Sequence, residues 1–235
     1  MKSTLPAMHL FRHFLLFTLT AVFLLTVMRS AYGLWQYPRL DASGAVVGLF
    51  TQGLRFDLAL IGQILFVPVV LGSLLAVTDA TRGLAKFVIA LFLVGGLLLI
   101  LLLELVTPWF VETQGVRPDV SMLSALPEPV QTFQQIVSQN VISVIIYAVL
   151  CVLIIIAFWS RMEMQRLLRY RVSVPSGLTL AVLGGLACLV AIWSTPDITQ
   201  GALSPSDAQI SQDATVNDLV MNSAYKSIYG FIIER

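Results

Sequence analysis

The stretch GLRFDLAL, residues 53–60, places Arg55 and Asp57 two apart where an apolar run begins. Opposite charges at such a point fit two kinds of chemistry. One is an ion-pair lock that fixes helix register. The other is a headgroup site, in which arginines grip a lipid phosphate bidentately. Residues two apart on a helix point in nearly opposite directions, so Arg55 and Asp57 each need a different partner. Counted from Arg82, Asp57 lies 25 residues back and Glu104 lies 22 residues forward. At a rise of about 1.5 Å per residue the two reach similar heights on antiparallel neighbours, which makes Glu104 the candidate partner of Arg55. Arg29 approaches the same level on the preceding segment, and Glu112 and Arg117 follow Glu104. The expectation is a ring of mixed charge: Arg29, Arg55, Asp57, Glu104, Glu112 and Arg117. A charge at the centre of a membrane helix costs about 2.5–3.5 kcal/mol, and less toward the edge, so pairing would offset much of that cost.

Other chemistry has little to stand on. His9 and His13 lie four apart on one helical face, but no third metal ligand is near them, and they read as interfacial polar residues. No cluster of Asp, Glu and His has metal-ligand spacing, and no Ser or Thr has a base in view. No catalytic residue and no metal site is therefore assigned. Cys151 and Cys188 both lie in apolar runs and read as buried small residues. A net charge of +1 provides no basic field for nucleic acid.

The elements that must position these charges are membrane helices. Of the 235 residues, 57% are hydrophobic and 11% charged, against about 25% charged in a soluble domain. The predicted fold is all-α and polytopic. Five segments approach the twenty or so apolar residues a span needs: about 10–34, 58–77, 87–106, 141–159 and 178–193. Eight of the fourteen Lys and Arg fall on one side if the N-terminus is cytoplasmic, four of them in SRMEMQRLLRYRVSV. That orientation puts the C-terminus outside. The first segment reads as an uncleaved anchor, because Arg29 interrupts the small-residue site that a signal peptide would need. Pro68 predicts a kink in the second span. Gly177, Ala181 and Gly185 form a small-residue face on the fifth, for packing within the bundle or, alternatively, for a homodimer seam.

Residues 1–195 are thus expected to form the membrane domain, and 196–235 an extracytoplasmic linker and juxtamembrane helix. Within the outer loop 107–140, a helix is predicted from Pro129, lying on the membrane surface. In the tail, Thr215 and Asp218 suggest a capping box opening a second amphipathic helix. Its apolar face (Val216, Leu219, Val220, Ile228 and Phe231 or Ile232) needs a partner, and the membrane surface or a following domain are the candidates.

Three motifs in this order resemble the membrane domain of lipoteichoic acid synthases and the related Gram-negative phosphoglycerol transferases. They are GLRFDL at 53–58; Glu104 followed by WFVETQGVRPD and LPEPV; and NDLVMNSAYKSIYGF at 217–231. The resemblance covers nearly the whole chain. It implies a multi-pass protein of the bacterial cytoplasmic membrane that anchors and orients an extracytoplasmic sulfatase-like domain. That domain would use a nucleophilic threonine and a divalent metal, usually manganese, to take phosphoglycerol from phosphatidylglycerol. The residues 1–235 contain none of its catalytic positions. The partners implied are membrane lipids, phosphatidylglycerol among them, and a catalytic domain in cis or in trans. Two other readings stay open: a non-catalytic lipid-binding scaffold, and a small transporter unit. Against the transporter stands the scarcity of mid-span polar residues, with Gln63 beside Pro68 the notable one.

Overall fold

Proline at position 68 has no N–H to give the preceding turn, and the second long helix answers by widening there. In the computed structural model, which describes residues 5–119, 128–139, 141–162, 172–194 and 203–233, every regular element is helical. The elements are α1 (Leu5–Trp35), α2 (Tyr37–Ala42), α3 (Val46–Val67), a π-turn (Pro68–Gly72), α4 (Ser73–Leu75) and α5 (Arg82–Gln114). They continue with α6 (Pro129–Gln139), α7 (Val141–Met162), α8 (Val174–Trp193), a 3₁₀ turn (Pro205–Ala208), α9 (Ala214–Val220) and α10 (Ser223–Ile233). Among the described residues, four helical stretches are long and apolar enough to cross a membrane: Ala7–Trp35, Val46–Leu75, Arg82–Gln114 and Val174–Trp193. The chain is a multi-pass membrane protein by that criterion.

The second span begins twelve residues before the expected Leu58, so Arg55 and Asp57 lie inside a helix rather than at its lip. Hydropathy counted from the apolar run could not see this, because residues 46–57 form helix through mixed composition. At Pro68, where a kink is expected, the helix forms a π-turn over Pro68–Gly72; prolines and π-turns are both recognised sites of helix deformation. The helix from Pro129 is present as expected. The segment 120–127, which includes Leu126 and Pro127 of LPEPV, lies outside the described residues, as do residues 163–171 of the arginine-rich stretch and residues 195–202 of the stretch read as linker.

The chain divides into two compact units. The first holds residues 1–23, 58–97 and 154–202. Here α8 packs its small-residue face on the π-turn and α4. A Cβ added at Gly185 would stand 2.9 Å from Val70 Cγ2, and one at Gly177 would stand 3.1 Å from the Ser73 carbonyl oxygen. The face that sequence offered either to the bundle or to a dimer is thus filled from within the chain. Ser173 caps α8 by accepting from the Ser176 N–H, and the Val172 N–H donates to the Ala76 carbonyl at 3.1 Å.

The second unit holds residues 24–57, 98–153 and 203–235. Its core includes Leu49, Phe56, Val216, Leu219, Val220 and Tyr225, all buried. Val216, Leu219 and Val220 of the tail's apolar face therefore have their partner inside the chain, whereas Ile228 is half-buried and Phe231 is exposed. Within the stretch read as linker, the described residues from Leu203 are held by specific hydrogen bonds. Asn217 Oδ1 accepts from the N–H groups of Ile210 and Ser211, and its Nδ2 donates to the Ser211 carbonyl.

Candidate functional site: two buried charge centres

The first centre joins α1 to α3. Arg29 Nη1 donates to Asp57 Oδ2 at 2.6 Å, and Nη2 donates to Oδ1 at 2.7 Å. Nη2 also reaches the carbonyls of Gly53 at 3.0 Å and Val220 at 3.2 Å. Asn222 Nδ2 donates to Asp57 Oδ1 at 3.0 Å. Arg29 is 3% exposed and Asp57 is fully buried, so the pair is a desolvated one. Such a pair breaks even only when its polar atoms are satisfied; the two carbonyls and Asn222 supply further bonds, and Arg29 Nε is buried without a partner among the described residues. Gly53 makes room for it. A Cβ there would overlap the guanidinium of Arg29, so any larger residue evicts the arginine.

The second centre lies at the end of α5. Arg117 Nη1 donates to both oxygens of Glu104, each at 2.9 Å. The Ser223 N–H, first in α10, donates to Glu104 Oε1 at 3.0 Å, and Ser223 Oγ meets Thr107 Oγ1 at 2.6 Å. A carboxylate at a helix N-terminus also meets the favourable end of the helix dipole. Tyr32 of α1 donates its hydroxyl to the Glu104 carbonyl at 2.7 Å, and its ring lies beneath the Arg117 guanidinium, 4.9 Å from the centroid. Burial alone would push the Arg117 guanidinium down; Glu104, Tyr32 and Asp218 outweigh it and hold the group above the usual arginine range.

A third pair grips the main chain of Arg117. Asp218 accepts from its N–H, Lys226 Nζ donates to its carbonyl at 3.0 Å, and Lys226 and Asp218 join at 2.8 Å. Gly115, at φ +75°, supplies the left-handed turn after α5 that brings Arg117 back onto Glu104. Around the same helices, Phe56 and Tyr225 meet edge to face with centroids 5.1 Å apart, and Tyr225 donates its hydroxyl to the Leu203 carbonyl. Burial pushes the Tyr225 phenol well above the usual tyrosine range, so it stays a donor.

Of the six expected ring residues, four are brought into these centres: Arg29, Asp57, Glu104 and Arg117. They form two separate neutral pairs, each buried within the protein, and not one ring. Glu104 takes Arg117 where the height count nominated Arg55. The count tracked helical rise and had no way to include a loop that doubles back. Arg55 is half-buried and donates to Gln52 Oε1 at 2.6 Å, and Glu112 is exposed. The expected capping box is also replaced: α9 is capped by Asp213, which accepts from the N–H groups of Thr215 and Val216, and Asp218 is spent on Arg117. We expect Asp213→Ala to cost about 1 kcal/mol in thermal unfolding, the usual loss of an N-cap; Thr215→Val should cost less.

Sequence reasoning missed Gly53, Tyr32, Asn222, Ser223 and Lys226. One signal was readable. The expected single tail helix breaks at Met221, and Asn222 accepts from the Tyr225 N–H to start α10. Asparagine followed by serine inside an apolar pattern is a helix-start signature. Among the described residues no three His, Cys, Asp or Glu side chains gather as metal ligands. The buried carboxylates Asp57, Glu104 and Asp218 are committed to Arg29, Arg117 and Lys226. The resemblance assigns its divalent metal to the sulfatase-like domain and not to these residues, and no chemistry is routed through one. No protein-family model matches the chain, and no solved structure matches it.

Proposed function

We propose that the chain is a membrane domain of the phosphoglycerol-transferase and lipoteichoic-acid-synthase kind, which anchors an extracytoplasmic sulfatase-like domain and holds it in one orientation. One observation carries this: residues 203–233 are fastened by Asn222, Ser223, Asp218 and Lys226 onto buried charges of the helical unit. A segment held by buried, charge-assisted hydrogen bonds sets direction, which a flexible tether does not. The proposed topology has five spans, with α7, 22 residues and strongly apolar, as the fourth. The N-terminus is cytoplasmic, the C-terminus extracytoplasmic, and the membrane is the bacterial inner membrane. Phosphatidylglycerol is the proposed lipid partner, and the catalytic domain acts in cis or in trans. Both Nη groups of Arg29 and Nη1 of Arg117 are committed to carboxylates, which favours a lock over a phosphate grip at those two positions.

The test is to isolate the protein from native membranes, take its intact mass and assay transfer from phosphatidylglycerol with manganese. Metal-dependent transfer by a polypeptide or complex well above 25.8 kDa is the expected result. A 25.8 kDa species without such transfer, alone or with copurifying partners, would reject the proposal.

A further inference from the structure

The two charge centres share no salt bridge, yet consecutive residues touch both. Asn222 Nδ2 donates to Asp57 of the first centre, and the Ser223 N–H donates to Glu104 of the second. Asn222 Oδ1 also starts α10 by accepting from the Tyr225 N–H at 2.7 Å. One side chain therefore caps a helix and completes a buried ion pair, and the next residue along completes the other. Asn222 is 2% exposed and Ser223 fully buried, so neither bond has water as a ready substitute.

We propose that the Asn222–Ser223 junction is a coupling lock: it joins the two charge centres into one cooperative unit and ties the position of α10 to both. The coupling is reciprocal. Loosening either centre frees α10, and displacing α10 weakens both pairs. The lock deepens the orienting role and rests on that reading only for what α10 carries. A competing route exists through Tyr32, which stands one turn after Arg29 on α1 and contacts both Glu104 and Arg117.

Ser227 provides a reporter in α10. It is buried, and its hydroxyl has no hydrogen-bond partner, so Ser227→Cys is a mild change. Maleimide labelling of that thiol is followed by peptide mass mapping in the full chain in detergent. Asp57→Asn and Glu104→Gln, made singly, should each speed labelling about tenfold, and the double variant should be no faster than the faster single. In an Asn222→Ser background, where serine keeps the helix cap but is too short to reach Asp57, Asp57→Asn should no longer speed labelling while Glu104→Gln still does. If Asp57→Asn does not fold, the neutral pair Arg29→Gln/Asp57→Asn serves the same arm without an unpaired charge. Multiplying effects in the otherwise unchanged chain would overturn the lock. So would an Asp57→Asn effect that persists with Asn222→Ser, since it would then run through Tyr32. This assay reads only the chain's own helices, so it can fail while the transferase assay succeeds, and the reverse.

Discussion

Glu104→Ala is expected to lower the unfolding free energy of the detergent-solubilised chain by about 3–5 kcal/mol. The residue is 2% exposed and accepts from Arg117 and from the Ser223 N–H. Removing it leaves a guanidinium that is also 2% exposed with Ser223 Oγ, the Tyr32 ring and Asp218, which Lys226 already holds. The cost is that of an uncompensated buried cation more than that of a lost attraction. The pair of changes Glu104→Leu with Arg117→Met should therefore recover most of the loss, since well-packed apolar replacements of a buried pair are often close to neutral. Thermal or denaturant unfolding of the single and double variants checks this. A single variant within about 1 kcal/mol of the parent would mean that Arg117 finds solvent, as surface pairs do.

Gly53→Ala should destabilise by about 3 kcal/mol, combining overpacking with partial loss of the Arg29–Asp57 pair. The sign is the informative part. Alanine normally stabilises a helix interior over glycine by about 0.5–1 kcal/mol. At Gly53 the new methyl would overlap the Arg29 guanidinium, with Cδ only 2.8 Å away. That guanidinium is the end of a long side chain, but it is pinned by two bonds to Asp57 and by two carbonyls. Gly95→Ala, where an added methyl meets nothing within 4 Å, is the matched control and should be neutral or stabilising. Similar shifts at both positions would remove Arg29 from its assigned seat.

Both effects depend on residues whose importance composition alone could not rank. By itself the sequence determined that the chain is helical and multi-pass, because a run of about twenty apolar residues has one cheap way to satisfy its backbone in lipid. It also determined where the second span would deform, since Pro68 removes a donor wherever it sits. It picked out Arg29, Asp57, Glu104 and Arg117, because isolated charges in so apolar a chain must find partners. Who pairs with whom was a tertiary decision. Helical rise is local and can be counted, but the return of Arg117 onto Glu104 depends on a left-handed turn at Gly115 and on Asp218 and Lys226, about a hundred residues further along the chain. The same holds for the tail. Its apolar period was legible, while the face that covers it, and the break at Asn222 that lets one segment reach two ion pairs, exist only once distant helices have packed.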